Sequence, residues 1–254
     1  MKRALAVSPT DQALAAAAEL RDAYEWVPLD QAESVVALGG DGFMLQTLHT
    51  MLGTRRTVPV FGMNLGTVGF LMNDWRLEGL DERLARAKPF RVSPLNMTAT
   101  TLDGEVVVLP AINEVSLLRE TRQTAKLEIT INDRVVLAEL VADGILVATP
   151  AGSTAYNLSV QGPILPLGSA MLAMTPISPF RPRRWRGAIL PEKTRIGIRV
   201  LEASKRPVSA VADQREVREV ASVRVEIDHT RDLTLLFDPE HALDDRITME
   251  QFIA

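Results

Sequence analysis

An acidic side chain stands among glycines where the chain passes from strand to helix. The segment SVVALGGDGFML, residues 34–45, ends an apolar, β-branched run at Gly39-Gly40-Asp41-Gly42 and continues directly into helix-forming residues. Glycine turns after parallel strands gather backbone N–H groups at the positive end of the following helix, and so they cradle phosphates. Neither the G-x-x-x-x-G-K-[ST] pattern nor G-x-G-x-x-G stands here, so the P-loop and dinucleotide fingerprints both fail. A carboxylate in such a turn repels phosphate but suits a neighbouring hydroxyl. Asp41 could accept the proton of an attacking alcohol, or share in holding a magnesium ion. The plainer reading is that Asp41 only caps a helix beginning at Phe43.

A second stretch, VADGILVATPAGSTAYNLSVQGP at 141–163, has the same character. Asp143-Gly144 turns from one strand into another, Ile145 to Ala148. Pro150-Ala151-Gly152-Ser153-Thr154 is then a small-residue turn with two hydroxyls ahead of a short helix, whose N-terminus can meet a nucleotide. In isolation it reads as a tight turn capped by Ser153, with Tyr156 half-buried. Asn113-Glu114, taken alone, reads as an edge-strand pair facing water. His49, His229 and His241 have neither metal-ligand spacing nor an evident carboxylate partner, and no protein metal site is expected.

The elements that must hold these residues fall into two kinds. Up to about residue 93, strand and helix alternate: Arg3 to Ser8, a helix Thr10 to Tyr24 capped by Thr10 or Asp11, Val35 to Leu38, a helix Phe43 to Leu52, Val58 to Phe61, and a helix Trp75 to Ala87. This order predicts an α/β N-terminal domain with a parallel sheet. After Lys88 to Pro94 the pattern turns to short alternating strands, opened by a hairpin signal at Asp103-Gly104. The expected organisation is an α/β domain over 1–93, with 238–254 packing back on it, and a mainly β domain over 94–237. Asp232 to Phe237 is read as the last strand of that second domain.

Composition narrows the partners. The 254 residues are 46% hydrophobic and 24% charged with net charge −4, which suits a globular chain and argues against non-specific nucleic-acid binding. The absence of cysteine fits a reducing, cytoplasmic setting, and no apolar run is long enough to span a bilayer. No membrane partner is expected.

Taken together and in order, GGDG (39–42), NLGTVGFL (64–71), INEVSL (112–117), ADGILVATPAGSTAYNLS (142–159) and GPILP (162–166) resemble the NAD kinase family. The resemblance implies transfer of the terminal phosphoryl of ATP, or of polyphosphate, to the 2′-hydroxyl of the adenosine ribose of NAD, with magnesium accompanying ATP. It implies Asp41 as proton acceptor and Gly42 as the point of close approach to the diphosphate. Asn113 and Glu114 match a pair that grips ribose hydroxyls and the adenine edge. Asp143, Ala151, Thr154, Ala155, Tyr156, Asn157, Leu158 and Ser159 should line the dinucleotide pocket, joined by Ser178 and Gln214. A homodimer or homotetramer is implied, because in the family a neighbouring subunit completes the dinucleotide site. Phe43 departs from the family's small hydroxyl residue, and Ala212-Asp213-Gln214 stands where a DG or DH pair is common. The basic run Arg181 to Arg186 reads as a solvated loop or as a phosphate-neutralising one. Two other functions fit the GGDG turn: a diacylglycerol- or sphingosine-type lipid kinase, and a non-catalytic NAD-binding sensor.

Overall fold

The computed structural model describes residues 2–54, 56–66 and 69–239. Its described residues divide into one unit formed by 2–92 and 231–239 and another formed by 93–230. The expected return of the tail beyond Pro239, and His241, lie outside the described residues.

In the first unit, β1 (Arg3–Val7), β2 (Ser34–Gly39) and β3 (Val60–Asn64) pair in parallel, and the two-residue β4 (Asn73–Asp74) extends β3. Helix α1 (Asp11–Ala23) starts as expected: the Thr10 side chain accepts from the Ala13 N–H. Its Ala13, Ala16, Ala17 and Leu20 pack on Val36, Leu38, Phe61 and Met63, one face of a period-two sheet. Gly62 points to the opposite face, where the Met44 methyl of α2 (Asp41–Thr54) lies close over it. The two faces of β2 and β3 are therefore covered by different helices, and the end of β2 delivers Asp41.

Two expectations are corrected here. The strand at Leu233–Phe237 belongs to this sheet and not to the β domain: it lies between β3, in parallel, and β5 (Lys88–Val92), antiparallel. An apolar strand carries no mark of which sheet it will join. Asn73 fixes this one, donating to the carbonyls of Gly62 and Leu236 while its own oxygen accepts the Asp238 N–H. The segment 88–92, at the point where the strand–helix alternation ends, is itself a strand, β5. The third helix, α3, covers only Leu80–Arg86, because Gly79 at φ +70° breaks the chain before it. Trp75 and Leu77 still pack on the core, from irregular backbone.

The second unit is a sandwich of two six-stranded antiparallel sheets. One runs β10 (Arg134–Ala142), β9 (Ala125–Ile131), β14 (Ile196–Val200), β17 (Val220–Ile227), β6 (Leu95–Thr101), β7 (Val106–Ala111). The other runs β13 (Ala188–Pro191), β12 (Met171–Ile177), β11 (Gly144–Ala148), β8 (Glu114–Arg119), β15 (Val208–Ala212), β16 (Arg215–Val217). The β6–β7 hairpin turns at Gly104, φ +89°, as Asp103-Gly104 signalled. Alternation along β11 decides the layers. Ile145 and Val147 enter the sandwich core, while Leu146 and Ala148 face outward against Leu165, Tyr156 and Val160. The outer face of the second sheet is thus roofed by the segment that carries Tyr156.

Candidate active site

Asp41 does not cap its helix. Helix α2 begins at Asp41 itself, and the N–H groups of Phe43 and Met44 both donate to the Gly40 carbonyl. The carboxylate instead accepts from the Phe70 N–H at 2.7 Å and the Leu71 N–H at 3.0 Å, in the segment after β3. Two hydrogen bonds from adjacent amides fix its plane, and each oxygen keeps lone-pair capacity for a further donor. In front of the turn, a Cβ added at Gly42 would meet nothing within 4 Å, so the approach to Asp41's neighbour is open. Gly69 is needed for another reason: a Cβ there would come within 2.6 Å of Asp41 Oδ1. Gly69→Ala should therefore push the carboxylate aside. We expect kcat to fall by about tenfold, since small misplacements of a reacting group are costly. Steady-state kinetics beside a thermal melt that shows an intact fold checks this.

In the second unit the Asn113–Glu114 turn is built by other parts of the chain. The Thr149 hydroxyl donates to the Ile112 carbonyl at 2.7 Å and accepts the Gly152 N–H at 3.1 Å. Gly152 sits so close to this turn that a Cβ would lie 2.1 Å from the Asn113 carbonyl oxygen, which is why TPAGS needs its glycine. Register places Glu114 opposite Ala148 at the end of β11, beside the turn that leads to Thr154 and Tyr156. Asn113 Oδ1 and Glu114 Oε2 are buried acceptors with no partner among the described residues. Burial, and then the nearby Asp213 carboxylate, push the Glu114 carboxyl up to about 7. Burial also raises the Tyr156 hydroxyl, helped by Glu114 and Asp143. Buried acceptors left without donors call for a ligand that donates.

The remaining candidates separate into groups. Ala151 is buried in the turn, and Thr154, Ala155, Tyr156 and Leu158 are half-buried around the short helix α4 (Tyr156–Ser159). Asn157 differs from its expectation as a pocket residue. It is fully buried, its Nδ2 donates to the carbonyls of Ser153 and Pro163, and its Oδ1 accepts from the Thr175 hydroxyl. With both ends of its amide engaged internally, Asn157 braces the loop. Ser159 and Ser178 do come together, lining a cleft of about 310 Å³ with Gln161, Trp185 and Arg186. Arg181 and Arg183 lie over the Phe180 ring, their guanidinium groups 5.5 and 5.1 Å from its centre.

Asp143 lies at the opposite end of β11 from Glu114, roughly 17 Å along the strand at about 3.3 Å per residue. Its carboxylate is 2.5 Å from Arg119 Nε, and its N–H donates to Ile177 beside Ser178. One chain therefore holds Asn113, Glu114 and Thr154 at one end of the sheet and Asp143 with Ser178 at the other. Tyr156 lies between them, where the charges of both Glu114 and Asp143 reach its hydroxyl. Gln214 is exposed next to Asp213. Sequence reasoning missed Thr149 as a builder of the site; the only signal was a hydroxyl ahead of a Pro-Ala-Gly turn.

The family model for the ATP-NAD kinase C-terminal domain matches residues 112–242. The chain is 68% identical over 251 residues to an NAD kinase of Rhizorhabdus wittichii, covering 99% of this chain and 98% of that protein. The chain belongs to the NAD kinase family. An NAD kinase of Zymomonas mobilis is 64% identical over 248 residues, covering 98% of this chain and 96% of that protein. Among solved structures, yeast NADH kinase complexed with NADH superposes with a TM-score of 0.84 at 22% identity, over 99% of this chain and 87% of that one. An Archaeoglobus fulgidus NAD kinase in complex with ATP gives a TM-score of 0.77, also at 22% identity, with both chains fully covered. At that identity they establish the NAD kinase fold: an α/β unit with a parallel sheet and a mainly β unit.

Proposed function

We infer that the chain is an NAD kinase that transfers the terminal phosphoryl group of ATP to the 2′-hydroxyl of the adenosine ribose of NAD. Family membership over nearly the whole chain supports the reaction. Within the site, the observation that carries the reading is the pair of buried, partnerless acceptors on Asn113 and Glu114. Vicinal ribose hydroxyls supply donors of the matching kind, whereas phosphate supplies only acceptors. Ionised, the Glu114 carboxylate accepts both hydroxyls.

Asp41 takes the second role. Pinned by two amides, it offers a free lone pair to the hydroxyl that attacks, so the proton leaves as the new P–O bond forms. Phosphoryl transfer otherwise needs little covalent help, and positioning with charge neutralisation supplies the rest. Magnesium is read as arriving with ATP as part of the substrate. Among the described residues, no group of three His, Cys, Asp or Glu side chains could hold a metal ion. Asp143 and Ser178, remote from Glu114 in one chain, are read as serving the dinucleotide of a neighbouring subunit in a homodimer or homotetramer. A cytoplasmic enzyme is consistent with this substrate set, and no described helix is long and apolar enough to cross a membrane.

The direct test incubates purified protein with NAD and magnesium-ATP, or with polyphosphate, and reads the product with an NADP-specific dehydrogenase. NADP should accumulate with ATP. Failure to form it with either donor would overturn the reading, and formation with polyphosphate would widen the donor class.

A further inference from the structure

Asp213 stands at a left-handed position, φ +52°, where the chain turns from β15 into β16. Its carboxylate reaches across to the turn between β7 and β8 and accepts three successive backbone N–H groups: Ile112 at 2.7 Å, Asn113 at 2.9 Å and Glu114 at 3.2 Å. Its own N–H returns a bond of 3.1 Å to the Glu114 carbonyl. The same turn is gripped from the other side by Thr149, whose N–H donates to the Asn113 carbonyl. Three consecutive amides converging on one acceptor form an anion nest, and here the anion is part of the chain. The backbone that carries Asn113 and Glu114 is thereby locked, while Asn113 Oδ1 and Glu114 Oε2 have no partner among the described residues.

We propose that Asp213 is a positioning residue for dinucleotide binding, clamping the 112–114 backbone so that the Asn113 and Glu114 side chains are presented to the ribose. This rests on the ribose-binding role read for Asn113 and Glu114 above. A left-handed, acid-bearing residue serves both needs at once. Aspartate tolerates that φ, and its short side chain places two oxygens within reach of three amides. Its charge has a second consequence. Among the described residues, Asp213 and the Tyr156 hydroxyl are the titratable groups coupled to Glu114, and the Asp213 charge makes ionisation of Glu114 harder. Asp213 therefore sets both where Glu114 points and the pH range over which it accepts hydroxyls.

Two variants test this: Asp213→Asn, which keeps the shape but removes the charge, and Asp213→Gly, which keeps the left-handed φ but removes the carboxylate. KM for NAD should rise by about tenfold or more in both, since two or three charge-assisted bonds are weakened or lost. The values of kcat and of KM for ATP should stay within about threefold of wild type, as expected for loss of uniform binding. The acid limb of kcat/KM for NAD should move to lower pH, because Glu114 loses a negative neighbour. An unchanged KM for NAD, or an acid limb that stays in place, would overturn the proposal. If Asp213→Gly loses its cooperative melting transition, Asp213→Asn decides; loss in both would mark a residue that only holds the fold. Glu114→Gln run alongside separates the levels: if it too leaves KM for NAD unchanged, the ribose-binding reading has failed, and not merely the role of Asp213.

Discussion

Asp41→Asn should lower kcat for NADP formation by about 10²–10⁴, the range for loss of a positioned general base, with little change in KM for NAD. The substitution is nearly isosteric, but the amide NH₂ would have to face either the Phe70 or the Leu71 N–H. One backbone donor is then left opposite another donor, and the oxygen that remains is a poor proton acceptor. A modest loss of stability should accompany the kinetic defect, about 1–3 kcal/mol for a disrupted charged hydrogen bond. The two effects separate by temperature: kcat measured well below the melting transition reports chemistry alone. Full activity in this variant would remove the base from the mechanism.

Glu114→Gln should produce the second large effect, with opposite signs for activity and stability. Wild-type Glu114 titrates near 7 because burial and Asp213 disfavour its charge. Above that pH it is ionised and accepts ribose hydroxyls, so kcat/KM for NAD should fall as pH drops through 7. The glutamine variant resembles the protonated acid. At pH 8 it should lose about 10²-fold in kcat/KM for NAD, the scale of one or two charge-assisted bonds, and its profile should be flat where wild type falls. Stability runs the other way. A carboxyl raised from 4.5 to about 7 on folding favours the fold fully below 4.5, and loses that contribution as pH rises through 7. Without ligand at pH 8, Glu114→Gln should therefore be the more stable protein, by on the order of 3 kcal/mol. Melting curves at pH 5 and pH 8 check this, and NAD should narrow the gap by binding the wild type.

The sites were more legible in the sequence than the elements that build them. GGDG, INE and TPAGSTAYNLS are runs of small and polar residues at strand ends, where tight turns and close backbone approach leave few choices of residue. The fold class followed from the switch between helical and strand periodicity. What stayed hidden has physical causes. The strand β12, Met171–Ile177, is buried on both faces and contains Pro176, so it shows neither alternation nor ordinary strand composition. Leu233–Phe237 reads as a strand, but its place between β3 and β5 depends on Asn73, 160 or more residues earlier. Asp41 looked like a helix cap because caps are local, whereas its partners are the amides of Phe70 and Leu71. Asn157 matched a family motif as a pocket residue, and only three-dimensional packing gives its amide to Ser153, Pro163 and Thr175. Short-range chemistry was readable; long-range hydrogen bonding was not.

A crystal structure with NAD bound is the most direct measurement of whether Asp41 faces the hydroxyl it is held to deprotonate. An Asp41 carboxylate oxygen should lie about 2.6–3.2 Å from the 2′-oxygen of the adenosine ribose, the reach of a general base. A well-ordered dinucleotide whose 2′-oxygen stands beyond the span of one bridging water from Asp41 would contradict it.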